Sequence, residues 1–409
     1  MITTINNEHK ELNFSSEREQ SQACLNSAEH EKNQGRKVLN VPNLRFKEFQ
    51  GEWEKCKLGD YGKVVTGNTP PTKDIENYEN GTYLWASPAD LGTIKLISET
   101  KTMLSAKGFS KTRALPKGSV LVTCIGSTIG KTGMATKEMS TNQQINSIVV
   151  NDNSDNEFVY YAIQSAFPRY LSSIAVQAVP IISKSAFELL PNQRPCLQEQ
   201  KKVGKMLSLL DERIATQNKI IDKLQSLIKG IRNDVYGKLR KSVGFNAMIS
   251  DVLSYEQPQP YIVENTEYTA EGIPVLTANK AFVLGYTSET NGIYDKGDCI
   301  IFDDFTLDCK YVDFPYKIKS SAIKILTAKN KELLRYTFEF LKYLDLSTEE
   351  HKRHYIAETQ NQEFILPTMH IVSTIAHAFS ALSLRMKYVV KQRNMFETQK
   401  QYLLRHMFI

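Results

Sequence analysis

No histidine falls between His30 and His351, and the chain has only two tryptophans and six cysteines. The histidine gap removes the commonest general base and metal ligand from most of the chain. No Ser/His/Asp or Cys/His catalytic set can therefore be argued from spacing. His351 and His354 are three apart and read as a solvated helix face rather than a metal pair. The cysteines form no CxxC and no even framework, which suits a reducing compartment and predicts a cytoplasmic protein. Long hydrophobic runs are also missing. Nothing approaches transmembrane length and the polar N-terminus has no signal-peptide core, so no membrane association is expected.

What is present instead is a heptad, written twice. Val203, Leu207, Leu210, Ile214, Gln217, Ile221, Leu224, Ile228, Ile231 and Val235 step by four and three. The same stepping returns 172 residues later as Ile375, Phe379, Leu382, Met386, Val389, Arg393, Phe396, Lys400, Leu403 and Met407. Such a stripe is the seam of a coiled coil. Aligned end to end and antiparallel, positions whose numbers add to 610 face each other. Gln217 then meets Arg393, and Lys400 must snorkel past Leu210.

Each heptad closes a long mixed segment, and the two mixed segments share landmarks in order. Gly81-Thr82-Tyr83-Leu84-Trp85-Ala86 is answered by Gly272-Ile273-Pro274-Val275-Leu276-Thr277, and Lys117-Gly118-Ser119-Val120-Leu121-Val122 by Lys296-Gly297-Asp298-Cys299-Ile300-Ile301. The helix expected over 158–171 is answered by one over 333–344. Glu188-Leu189-Leu190-Pro191 is answered by Phe364-Ile365-Leu366-Pro367, each proline placed to open a helix. A repeated order of this kind marks internal duplication. Residues 1–40 read as a polar extension, 41–190 as a first globular domain and 191–243 as a first helix. Residues 244–366 read as a second domain and 367–409 as a second helix. The fold class is α+β, two globular domains separated by two long antiparallel helices forming a coiled-coil spacer. Net charge is +7 over 191–245, +5 over 367–409, +2 over 41–190 and −7 over 246–366. Basic helices suit a polyanion or an acidic partner.

No motif makes an active site. Gly126-Ser127-Thr128-Ile129-Gly130-Lys131-Thr132 resembles a phosphate-binding loop but has three residues between its glycines where the loop needs four. Asp298 and Asp308-Cys309-Lys310 imitate the spacing of a metal-dependent nuclease only loosely. Polar clusters able to hold phosphates or read base edges occur in both segments. The first has Thr69, Lys73, Ser127, Thr128, Lys131, Asn142, Gln143 and Gln144; the second has Asn279, Lys280, Lys317, Lys319, Ser320, Lys352 and Arg353.

Val41-Pro42-Asn43-Leu44-Arg45-Phe46, Gly51-Glu52-Trp53, Thr66-Gly67-Asn68-Thr69-Pro70, Gln198-Glu199-Gln200-Lys201-Lys202-Val203 and Leu209-Leu210-Asp211 form an ordered series. Pro274-Val275-Leu276-Thr277-Ala278, Ile301-Phe302-Asp303-Asp304-Phe305 and Lys319-Ser320-Ser321-Ala322 continue it. Over residues 41–409 this layout resembles the specificity (S) subunit of type I restriction–modification systems. The resemblance implies a non-catalytic reader of double-stranded DNA, each recognition domain reading one half of a bipartite target. The helices would set the spacer and dock two methyltransferase subunits, with restriction subunits completing the complex. It implies no cofactor on this chain, with S-adenosylmethionine, ATP and Mg in the partner subunits. The alternatives are a coiled-coil scaffold with paired protein-binding domains, or a metal-dependent nuclease. One departure stands out: measured from Pro367, the second helix opens four residues shorter before its heptads than the first does from Pro191.

Overall fold

The computed structural model describes residues 40–409 apart from 93, 174–179, 279–280 and 349–351. The expected N-terminal extension, His351, Asn279 and Lys280 thus lie outside the described residues. The chain divides into two units, one ending at Gly204 and taking in Leu404–Ile409, the other running from Lys205 to Leu403.

In the first unit, strands β1 (Glu54–Lys57), β2 (Gly62–Thr66), β3 (Tyr83–Ala86), β4 (Leu96–Ile97) and β5 (Thr102–Leu104) precede β6 (Val120–Thr123), β7 (Thr132–Ala135), β8 (Met139–Thr141), β9 (Ile145–Val150) and β10 (Pro191–Arg194). They make a five-stranded sheet ordered β2-β9-β6-β7-β4, a three-stranded sheet β5-β3-β8 and the ribbon β1-β10. Residues of both larger sheets meet in one core, including Leu84, Ala86, Leu121, Met139 and Ile145. Helix α1 (Asn156–Ser173) starts under Asp155, whose carboxylate accepts from the Phe158 amide at 2.9 Å. Its Phe158 joins Trp53 and Phe408 in an aromatic cluster with ring centroids 5.4–6.2 Å apart. The last residues are therefore part of this unit's core. Helix α2 (Leu197–Ser242) begins here.

The second unit repeats the plan. Its strands are β11 (Ala247–Met248), β12 (Leu253–Glu256), β13 (Ile273–Leu276), β14 (Val283–Thr287), β15 (Cys299–Asp303), β16 (Cys309–Val312), β17 (Lys317–Ile318), β18 (Ile323–Ala328) and β19 (Glu363–Phe364). The order β12-β18-β15-β16 matches β2-β9-β6-β7, and β14-β13-β17 matches β5-β3-β8. The odd feature is kept too: in each triplet the middle strand pairs antiparallel on one side and parallel on the other. Helix α3 (Lys331–Leu344) stands where α1 stood, and Asn330 caps its first turn. Helix α4 (Met369–His406) closes the repeat.

The structure corrects the helix starts. Pro191 opens β10 rather than a helix, because a residue without an N–H is tolerated at the first position of a short edge strand. The equivalent of Pro367 is Pro195, and α2 and α4 each begin two residues later, again 172 apart. The four-residue difference between the helices disappears.

Within the second unit α2 and α4 pair antiparallel. Ile221, Leu224 and Val389 form a buried cluster with Met386 against it. The Asp211 carboxylate meets Lys400 Nζ at 2.7 Å, and the Arg213 guanidinium lies 5.6 Å from the Phe396 ring centre. These pairings agree with the 610 register to within one residue. Val203, Leu207, Leu210, Ile214, Ile375, Phe379 and Leu382 are buried or half-buried, as are all other seam positions. Two details differ from expectation. Lys400 does not merely snorkel; it is neutralised by Asp211 beside Leu210. Gln217 and Arg393 do not bond, because Arg393 donates to Asn394 and lies 3.8 Å from Glu397 on its own helix. That leaves Gln217 Oε1 buried with no partner among the described residues.

Candidate nucleic-acid interface

The first unit gathers its candidates where β2, β6 and β8 end. After β2 the Gly67 amide donates to Ile145 and the Asn68 amide to Thr141. A Cβ on Gly67 would sit 2.2 Å from the carbonyl oxygens of Thr141 and Asn142, so only glycine allows this approach. The Thr69 hydroxyl donates to Gln143 Oε1. Asn142 is buried and fully engaged: its Oδ1 accepts from the Gln144 amide at 3.1 Å and its Nδ2 donates to Gln144 Oε1 at 3.0 Å. Gln144 in turn ties down the next loop, its carbonyl accepting from the Cys124 amide at 2.7 Å.

That next loop joins β6 to β7. Gly126 and Gly130 hold φ of +95° and +90°, and Thr123 exchanges backbone hydrogen bonds with Gly130 and Lys131. It is a hairpin, and a phosphate-binding loop must lead into a helix. Ser127 is exposed, Thr128 and Lys131 half-buried, and the Lys131 stem lies against Gly92. Lys73 is exposed in the loop after Pro71. Sequence reasoning missed Arg113 on the same rim. Its amide donates to Asn68 Oδ1 and its guanidinium to the Thr66 carbonyl, and the side chain remains exposed. No periodicity marks it, since a contact 45 residues away places it.

In the second unit Lys319 and Ser320 are exposed after β17. The Asp304 amide donates to Ala322, and Asp304 Oδ1 accepts from the amides of His354 and Tyr355. This brings the Lys352-Arg353 segment, both side chains exposed, beside the Ser320 turn. Lys352 is paired with Glu358 at 2.9 Å. Lys317 is corrected: it is buried, with Nζ 2.6 Å from Glu289 and donating to the Asn291 carbonyl, and it pins the loop after β14 to β17. A phosphate cannot reach it. Some of the acidic groups of residues 246–366 are matched locally, as in Lys296–Glu256 and Lys324–Asp304.

Residues 50–226 match the model of the type I restriction modification DNA specificity domain. The type I restriction enzyme EcoR124I/EcoR124II specificity subunit of Escherichia coli is 44% identical over 126 residues, 29% of this chain and 31% of that protein. The MjaIX specificity subunit of Methanocaldococcus jannaschii is 30% identical over 182 residues, 42% of each chain. The match thus spans less than half the length of these relatives. The crystal structure of a type I restriction-modification S subunit from M. genitalium superposes with a TM-score of 0.64 at 16% identity, over 90% of this chain and 99% of that one, and shares the fold.

Within the first unit the motif residues act structurally. Arg45 grips Glu199 with two hydrogen bonds of 2.8 Å, and burial of this pair seats the start of α2. The Glu199 hydrogen bond, outweighing desolvation, raises the Arg45 pKa further above its ordinary value. Gln200 accepts from the Asp155 amide and donates to the Pro195 carbonyl, linking the same helix to the start of α1. The nuclease-like acids are occupied. Asp308 holds Lys342 at 2.5 Å and Lys310 at 3.1 Å, and Asp298 holds Tyr311 at 2.7 Å and Lys331 at 3.1 Å. Among the described residues no group of three His, Cys, Asp or Glu is placed to hold a metal, and no helix is long and apolar enough to cross a membrane.

Proposed function

We propose that this chain is the non-catalytic DNA-recognition subunit of a cytoplasmic type I restriction–modification complex, each unit reading one half of a bipartite target. The observation that supports it is the repeated placement of polar, cation-bearing loops at the same strand ends of two matching sheet systems. Such loops combine phosphate-holding cations with side chains that read base edges. Residues 41–190 and 244–366 serve as the two recognition domains. The two helices, about 48 Å from Val203 to Val235 at 1.5 Å per residue, act as the spacer.

The helices also offer a place for methyltransferase subunits. Leu384, Tyr388, Met395 and Tyr402 are exposed on α4, two residues past the seam positions Leu382, Met386, Arg393 and Lys400 and so about 200° round the helix. A helix apolar on both sides has a second partner to find. S-adenosylmethionine, ATP and Mg belong to those partners and to the restriction subunits. Affinity for duplex DNA across a salt series tests the reading. Each phosphate contact should add about 0.9 to the downward slope of log affinity against log salt. A flat slope, or no binding, refutes it.

A further inference from the structure

Two side-chain amides in the first unit are held the same way round. Gln143 Oε1 accepts from Thr69, and Gln144 Oε1 accepts from Asn142 Nδ2. In both, the carbonyl end is turned to a protein donor, and the NH₂ end has no acceptor among the described residues. Gln143 is exposed, and Gln144 Nε2 would lie 3.8 Å from a Cβ on Gly126, beside the open turn of the β6–β7 hairpin. Lys131 closes the same hairpin.

A glutamine with both ends free reads adenine by donating to N7 while accepting from N6. One whose oxygen is turned in to a protein donor presents its N–H end outward. Resting on the proposed DNA reading, we infer that Gln143 and Gln144 recognise hydrogen-bond acceptors on major-groove base edges (purine N7, guanine O6 or thymine O4), and that Thr69 and Asn142 are positioning residues that hold the amides donor-outward. Asn142, counted from sequence as a base contact, is buried with both polar atoms bonded to Gln144 in its own turn. Thr69 likewise acts through Gln143. Thr69 would tie recognition to loop geometry, since it fixes Gln143 from the neighbouring loop, while the buried Asn142 fixes Gln144 within its own turn.

The test uses the full chain and base analogues. A preferred duplex is first selected from a random pool. Acceptor atoms are then deleted one at a time, with 7-deazapurines or a thymine analogue lacking O4, and the adenine N6 donor is deleted with unsubstituted purine. Acceptor deletion at one or more positions should weaken wild-type binding by about five- to 150-fold, the range of a good base contact. The same deletion should have no effect on the matching Gln143→Ala or Gln144→Ala chain. Thr69→Val, which keeps the side-chain shape, should reduce the Gln143-dependent effect that Gln143→Ala abolishes. Persistence of every acceptor effect in both alanine variants overturns the inference, as does a Gln143- or Gln144-dependent effect of deleting the adenine N6 donor. Those outcomes leave the DNA-reading role standing. A chain that selects no sequence overturns both.

Discussion

Phe408 gives the first unit a core residue from the far end of the chain. Its ring lies 5.4 Å from that of Phe158 and 6.2 Å from that of Trp53, and 7% of the residue is exposed. Phe408→Ala removes a buried ring and leaves a cavity, a change that costs about 3–5 kcal/mol. The two edge contacts belong to that cost and contribute about 0.5–1.5 kcal/mol each. Unfolding free energies of single domains are about 5–15 kcal/mol, so this loss is a large fraction of the whole. The two tryptophans, Trp53 and Trp85, both lie in this unit, so tryptophan fluorescence reports its unfolding alone. With a urea dependence of about 2 kcal/mol per molar, a loss of about 3 kcal/mol lowers the midpoint by about 1.5 M. Tyr402→Ser, an exposed change on α4 in the other unit, serves as the control and should leave the transition in place. An unchanged midpoint for Phe408→Ala would refute the claim that the last residues complete this core.

Arg45→Ala should lower the same fluorescence midpoint, because Glu199 is left as a buried charge without its partner, a loss of about 3–5 kcal/mol; a shift no larger than the control's counts against it. Gln217→Leu should stabilise the helix pair by about 1 kcal/mol, since the oxygen it removes is buried and unbonded, and helix signal on thermal unfolding would show a lower transition if that is wrong. The carboxyl pKa values of Glu256 and Glu289 are lowered in the folded chain, chiefly by the hydrogen bond from Lys296 and by the Asn265 backbone hydrogen bond respectively. Depressed folded values contribute stability above the unfolded carboxylate range, lost as pH falls through it, so the second unit should weaken below about pH 4.5; stability rising on acidification contradicts this. One added heptad in both α2 and α4 should lengthen the spacer by about 10.5 Å and weaken binding to the original target, and unchanged affinity would show that the helices do not set the gap.

Strand and helix positions were legible because their signals are local. Helices α1 and α3 extend the expected spans by two residues at most, and the Tyr83–Ala86 landmark lies on a strand. The seam was legible because a single stripe must stay apolar for its whole length. Pro191 misled because a proline that opens a helix and one that opens an edge strand look alike in sequence. The strand is settled only by its partner, Lys57, which lies 134 residues away. Lys317 misled for a similar reason. Its burial comes from Glu289 and Asn291, which composition counts simply as an acid and an amide elsewhere in the segment.

The candidate interface divides along the same line. Residue type alone identified Thr69, Asn142, Gln143 and Gln144 as polar and base-capable, and the fold does place them together. What type alone cannot give is direction. An amide has a donor end and an acceptor end, and which one faces outward depends on a neighbour brought in by another strand. Thr69 arrives on the loop after β2, whereas Gln143 follows β8, and their contact spans 74 residues. Because β3 and β8 run parallel, a long crossover must separate them, so loops distant in sequence end side by side. The same parallel pairing recurs between β13 and β17. Two loops per unit are thereby brought to one edge, and their side chains can vary without disturbing the sheet beneath. A fold built this way keeps one scaffold while its rim residues change, which is why the duplication is readable in the sequence and the direction of each rim side chain is not.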